Sequence, residues 1–177
     1  MTLRLARTLA VLLAAPVALS ACAMFDKKEP PPCPPVYILS DAATVTKFRD
    51  GPGRDLTDVD VEAEVVGYKG DCSYDEKGAK VNLQVTIEAK RGPANSKGKS
   101  KLSYFVAIPH FYPSPQAKAV FPVEVEFPDG TNQVRYTDEA VSMRIPVKTK
   151  DLIDKFEIYL GFQTSQEELD MNRKVKH

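Results

Sequence analysis

The densest grouping of residues able to do chemistry is the run Phe48-Arg49-Asp50-Gly51-Pro52-Gly53-Arg54-Asp55-Leu56-Thr57-Asp58. Gly51 and Gly53 flank a proline, which makes a loop with special backbone angles. Arg49 and Arg54 can present planar forks to a carboxylate or a phosphate. The same residues also permit Arg–Asp pairs that fix the loop's own shape, and most charged loops are merely solvated. The candidate binding loop is therefore Arg49, Asp50, Gly51, Gly53, Arg54 and Asp55, weighed against an ordered loop, which is the favoured of the two readings.

Other constellations are thinner. Asp55, Asp58, Asp60 and Glu62 raise calcium, but the D-x-[DN]-x-[DN]-G spacing of an EF-hand is absent, and Asp60 and Glu62 fall on the wet face of a predicted strand. No metal or cofactor is expected. The segment Ile108-Pro109-His110-Phe111-Tyr112-Pro113 places a histidine and two aromatics between prolines. His110, Phe111 and Tyr112 form either an exposed anchor for a partner or an aromatic plug at a strand end. The motifs GxSxG, HExxH and GxxxxGK are absent. No enzyme is expected, although a hydrolase with dispersed carboxylates stays open because sequence spacing does not reveal spatial spacing.

The elements that must position these residues are strands. The chain has 177 residues, 24 basic and 24 acidic, with 43% hydrophobic and 27% charged. That is globular composition without the basic excess a nucleic-acid binder needs. From Val36 onward the dominant period is two. Val59, Val61, Ala63 and Val65 alternate with acids, and Val81, Leu83, Val85, Ile87 and Ala89 with polar residues. Phe121 to Phe127, Val141 to Val147 and Phe156 to Phe162 behave likewise. Val36 to Leu39 and Lys101 to Ile108 are further strands, the latter apolar enough to be covered on both faces.

Turn signals lie at Gly67 to Gly78, Gly92-Pro93, Pro113 to Gln116 and Asp129-Gly130. About seven or eight antiparallel strands with one wet face predict an all-β, immunoglobulin-like sandwich over 36–177, with a small barrel as the alternative. A capping box at Ser165 and Glu168 predicts a short helix from Gln166 to about Lys174, laid over a sheet edge and finished by Lys174, Lys176 and His177.

Residues 1–22 read as an address. Arg4 and Arg7 precede an apolar run from Thr8 to Leu19, the length of a signal-peptide core and too short for a spanning helix. Leu19-Ser20-Ala21-Cys22 resembles the lipobox of bacterial lipoproteins. The resemblance implies a signal peptide over 1–21 and acylation of Cys22. Ala23 after that cysteine resembles the outer-membrane sorting signal, with the inner membrane or a soluble periplasmic form as alternatives. Ordinary secretory cleavage at Ala21-Cys22-Ala23 is the rival. Removing the leader leaves 22 basic residues against 24 acidic.

With Cys22 lipidated, Cys33 and Cys72 remain as the one possible internal pair. An oxidising compartment permits the disulfide, which would close a loop of about 40 residues worth about 4 kcal/mol in the chain-entropy model. Residues 22–35, with Pro30, Pro31, Pro32, Pro34 and Pro35, form a tether of polyproline II character that reaches up to about 40 Å.

Phe48 to Asp60, Gly161-Phe162-Gln163-Thr164 and Asn172-Arg173 resemble an uncharacterised group of proteobacterial cell-envelope lipoproteins, which has no activity to carry over. The expectation is a membrane-tethered, non-enzymatic binding or scaffold module for another envelope component, a protein first of all. The alternative is a small-ligand or glycan binder using loop 48–58.

Overall fold

The computed structural model describes residues 32–148 and 150–175. The leader, Cys22 and the tether as far as Pro31 lie outside the described residues, as do Lys176 and His177.

The alternating stretches become strands. They are β1 (Val36–Ile38), β2 (Thr44–Phe48), β3 (Val59–Asp75), β4 (Gly78–Arg91), β5 (Lys99–Ala107), β6 (Lys118–Glu126), β7 (Gln133–Thr137), β8 (Val141–Ile145) and β9 (Ile158–Phe162). One helix, α1 (Gln166–Val175), follows. The strands make two sheets, a four-stranded one in the order β1-β9-β5-β6 and a five-stranded one in the order β2-β3-β4-β7. The fifth strand, β8, pairs with the stretch of β4 that β7 leaves free. The fold is an all-β sandwich.

Alternation explains the core. Val81, Leu83, Val85, Ile87 and Ala89 of β4 are at most 3% exposed. They share one apolar cluster with Leu102, Tyr104 and Val106 of β5 and with Ile158, Leu160 and Phe162 of β9. Asn82, Gln84, Thr86 and Glu88 between the β4 residues are only partly buried. Both faces of β5 are covered at its middle, where Tyr104, Phe105 and Val106 are all nearly inaccessible.

Three expectations need correction. The described residues contain nine strands, because Thr44–Phe48 and Gln133–Thr137 also pair. The pairing is not wholly antiparallel, since β1 runs parallel to β9 with Val36 opposite Ile158. Gly67 to Gly78 is not a turn region. β3 passes through a bulge between Val65 and Gly67, stays in register with β4 as far as Asp75, and reverses only there. Gly78, at φ +114°, completes the reversal, and a Cβ there would meet the Ile145 carbonyl oxygen at 2.2 Å.

Edges are managed. Pro122 of β6 pairs with Ser103, whose carbonyl instead accepts from the Gln163 N–H at 2.8 Å. The Ser103 backbone therefore points toward β9, and that of Pro122 points outward from the sheet, where a missing N–H costs no ladder bond and discourages strand addition. At the other sheet, α1 guards β2. The Ser165 hydroxyl accepts from the Glu168 N–H (3.2 Å), and the Glu168 carboxylate accepts from the Ser165 N–H (2.7 Å), which is a reciprocal cap. Glu168 also pairs with Lys47 of β2 at 2.6 Å. The Asn172 amide donates to the carbonyls of Asp41 (2.9 Å) and Thr44 (2.7 Å), satisfying backbone acceptors in the turn before β2 and at its first residue.

Candidate functional site

Loop 48–58 is held by its own residues. Asp55 caps a single 3-10 turn (Leu56–Asp58) by accepting from the Thr57 N–H at 2.7 Å and the Thr57 hydroxyl at 2.6 Å. Those bonds hold the Asp55 carboxyl below its ordinary range. Asp58 is 3% exposed and accepts from Arg49 Nε. Arg54 Nη1 donates to the carbonyls of Gly51 (2.9 Å) and Gly53 (2.7 Å), its Nε reaches Glu167 of α1 at 3.3 Å, and its guanidinium lies 5.4 Å from the Phe48 ring centroid.

The glycines have separate reasons. Gly51 sits at φ +119°, while a Cβ on Gly53 would stand 2.2 Å from the Asp58 carboxylate. Arg54 is thus spent on the loop and on α1. Arg49 is anchored by one nitrogen and remains largely exposed at its far end.

That far end lines a cavity of about 620 Å³ at one pole of the sandwich. Arg49, Asp50 and Asp60 come from the five-stranded sheet and its loop, while Lys97, Lys99 and Lys101 come from β5 and the turn before it. The cavity's floor is fixed by a polar chain. Ser100 donates to Asp60 Oδ2 at 2.6 Å and accepts from Asn95 Nδ2 at 2.7 Å. Asn95 Oδ1 takes the Gly98 N–H at 2.9 Å, and Arg91 grips the Asn95 carbonyl through Nε (2.9 Å) and Nη2 (2.8 Å). Asn95 and Ser100 are almost fully buried, so this pole is held by a buried, hydrogen-bonded polar network. Lys99 reaches Glu124 at 3.4 Å, whereas Lys97 and Lys101 have no carboxylate within ion-pair distance among the described residues.

Sequence reading passed over Lys97, Lys99 and Lys101. Their spacing of two places the β5 members on one face of the strand, and that period was the available signal. The expectation that no S-x-x-K motif is present is also corrected, since Ser96 and Lys99 meet that spacing of serine acyl-transfer enzymes. Lys99 opens a strand here instead of lying one helical turn after the serine, and its amine faces Glu124. Among the described residues, no group of three or more His, Cys, Asp or Glu converges as a metal site would need.

The opposite pole is where the chain enters. Cys33 and Cys72 are joined, with Cα atoms 5.7 Å apart. The Tyr74 hydroxyl donates to the Pro32 carbonyl, the Tyr68 hydroxyl to that of Val36 at 3.1 Å, and the Ile158 N–H to that of Pro35 at 2.9 Å. Residues 32–35 are therefore bound to the sandwich. Cys72 and Asp60 both lie on β3, separated along the strand by up to roughly 40 Å at about 3.3 Å per residue.

The segment His110 to Tyr112 divides. The half-buried Phe111 packs against the core with its ring 5.6 Å from that of Phe156, while the His110 ring lies 4.4 Å from Phe156 on a side chain that is itself exposed. Tyr112 is 82% exposed. Comparison of the chain with protein-family models, with curated proteins and with solved structures returns no match.

Proposed function

We propose that the chain is an exported lipoprotein, acylated at Cys22, whose sandwich is a non-enzymatic module that binds an anionic small ligand or glycan of the bacterial envelope in the Arg49–Lys101 cavity. The cavity carries this reading. Its volume falls in the range of ligand sites, at about 300–1,000 Å³. Its cations come from both sheets, and among the described residues Lys97 and Lys101 have no carboxylate within ion-pair distance. The stapled entry at the far end of β3 supports presentation of the cavity away from the tethering membrane. The lipobox and Ala23 favour the periplasmic face of the outer membrane. Asp60 is engaged by Ser100 and Glu124 by Lys99, which speaks for binding over hydrolysis.

Two measurements test it. Palmitate labelling in a Gram-negative host should be lost in Cys22→Ser, and labelling that survives removes the anchor at that residue. Titration of the protein with trigalacturonate should shift the amides of 49–50 and 97–101 saturably, while neutral maltotriose should not. Equal response to both sugars, or none to either, overturns the anionic-ligand reading.

A second reading, docking of a protein partner, is favoured by the exposure of Tyr112. Co-purification of one envelope protein that is lost in Tyr112→Ala would establish it.

A further inference from the structure

The outer face of the four-stranded sheet should be wet, and part of it is not. Register aligns Tyr37 with Tyr159 and Tyr159 with Ala107 on that face, and Gly161 with Phe105 and Phe105 with Val120. Tyr37 and Val120 are each 46% exposed, and Leu39 is 38% exposed. Phe105 also points outward by register, yet it is only 8% exposed. Two things cover it. The turn Ser40–Ala42 lies down over Gly161, where a Cβ would meet the Ala42 Cβ at 2.7 Å and the Phe105 ring at 3.2 Å. From the other side the Lys118 ammonium sits 4.3 Å from the Phe105 ring centroid.

Helix α1 makes a further wall, and a groove of about 430 Å³ results. Leu39, Ala42, Phe105 and Leu169 supply its apolar lining, and Lys118 and Arg173 its cations. Arg173 is neutralised by Asp41 at 3.1 Å and Asp170 at 3.9 Å. Lys118 is not: among the described residues no carboxylate lies within ion-pair distance of it. An uncompensated cation lying on an aromatic face, inside an apolar groove, calls for an anion attached to an apolar body.

We propose that this groove binds a single-chain anionic amphiphile of the fatty-acid class, its alkyl chain along Leu39, Ala42, Phe105 and Leu169 and its carboxylate at Lys118. The groove is separate from the Arg49–Lys101 cavity, so neither assignment depends on the other.

The test uses the full chain carrying Cys22→Ser, followed by methyl and amide NMR during titration below micelle-forming concentrations. Decanoate should shift the methyls of Leu39, Ala42 and Leu169 saturably. Decanol, with the same chain and no charge, should bind about fivefold more weakly, the scale of one partly exposed ion pair. Butyrate should leave the methyls unmoved. Lys118→Gln, an exposed replacement that leaves the fold intact, should bring decanoate down to the decanol affinity. Leu169→Gln should weaken both ligands. Equal binding of decanoate and decyltrimethylammonium, an unaltered decanoate affinity in Lys118→Gln, unsaturable shifts, or shifts centred outside these residues would each overturn the assignment.

Discussion

The Tyr104 hydroxyl, on a side chain with no solvent exposure in β5, donates to Asp138 Oδ2 at 2.8 Å, joining the two sheets across the core. Tyr136 of β7 donates to Oδ1 of the same carboxylate at 2.9 Å. Burial and the bond to Asp138 both push the Tyr104 phenol well above its ordinary range. Asp138 is held in turn by its N–H, which donates to the Val85 carbonyl at 3.0 Å.

This arrangement predicts an asymmetry between its members. Tyr136→Phe should cost about 1 kcal/mol, the net value of one hydrogen bond. Asp138→Ala should cost more, about 2–3 kcal/mol, because it strands a fully buried hydroxyl. Urea unfolding midpoints check the order, and equal costs would show that the cross-sheet bond does not bear on stability.

The staple at the entry pole makes a second prediction. Replacing Cys33 and Cys72 together by serine should destabilise the sandwich by about 2–4 kcal/mol, chiefly by freeing the unfolded chain. The folded Cys22→Ser protein should show no thiol reactive toward maleimide until a reductant is added. A labelled thiol without reductant would refute the pairing.

Acid should loosen α1 from β2. Burial pushes the Glu168 carboxyl up, but Lys47 and the Ser165 N–H outweigh it and hold the group below its ordinary value. A carboxyl whose folded pKa is lowered contributes fully above its unfolded value, about 4.3, and loses that contribution as pH falls through the folded value. Hydrogen exchange at the α1 amides should therefore quicken below that range ahead of exchange in β4. Lys47→Met should quicken it already at neutral pH and flatten the dependence.

Glycine positions separate by cause. Gly53→Ala should cost about 1–3 kcal/mol, because its Cβ is forced against the buried Asp58 carboxylate. Gly51→Ala, strained by φ +119°, should cost about 1 kcal/mol. Gly67 has open space and no such backbone, so Gly67→Ala should be neutral or slightly stabilising. Thermal midpoints of the three variants decide it.

How much of this the sequence disclosed depended on burial. β4 announced itself because five successive alternate side chains enter the core. β2 did not, since Val45 is its single fully buried residue and the alternation never repeats. In β7 the half-buried Val134 and Tyr136 do alternate with exposed Gln133, Arg135 and Thr137, but two apolar positions are too few to stand out as a period. The second half of β3 read as a turn because Gly67, Gly70 and Ser73 carry turn chemistry. Its extension comes from pairing with β4 and from the bond at Cys72, both of them non-local. The α1 cap was legible because a capping box is a local device. The two grooves were not, because each is assembled from segments far apart in the chain: Arg49 with Lys101, and Leu39 with Lys118 and Leu169.

Pro122 gains a wider meaning if the protein is moored to a bilayer. Molecules confined to one leaflet share a layer only tens of ångströms deep, so neighbours meet far more often than they would in free solution. An open β6 rim would let one copy zip onto the next and grow a fibre along the surface. A single imino acid midway along that rim denies the first rung, leaving a crowded film of separate molecules.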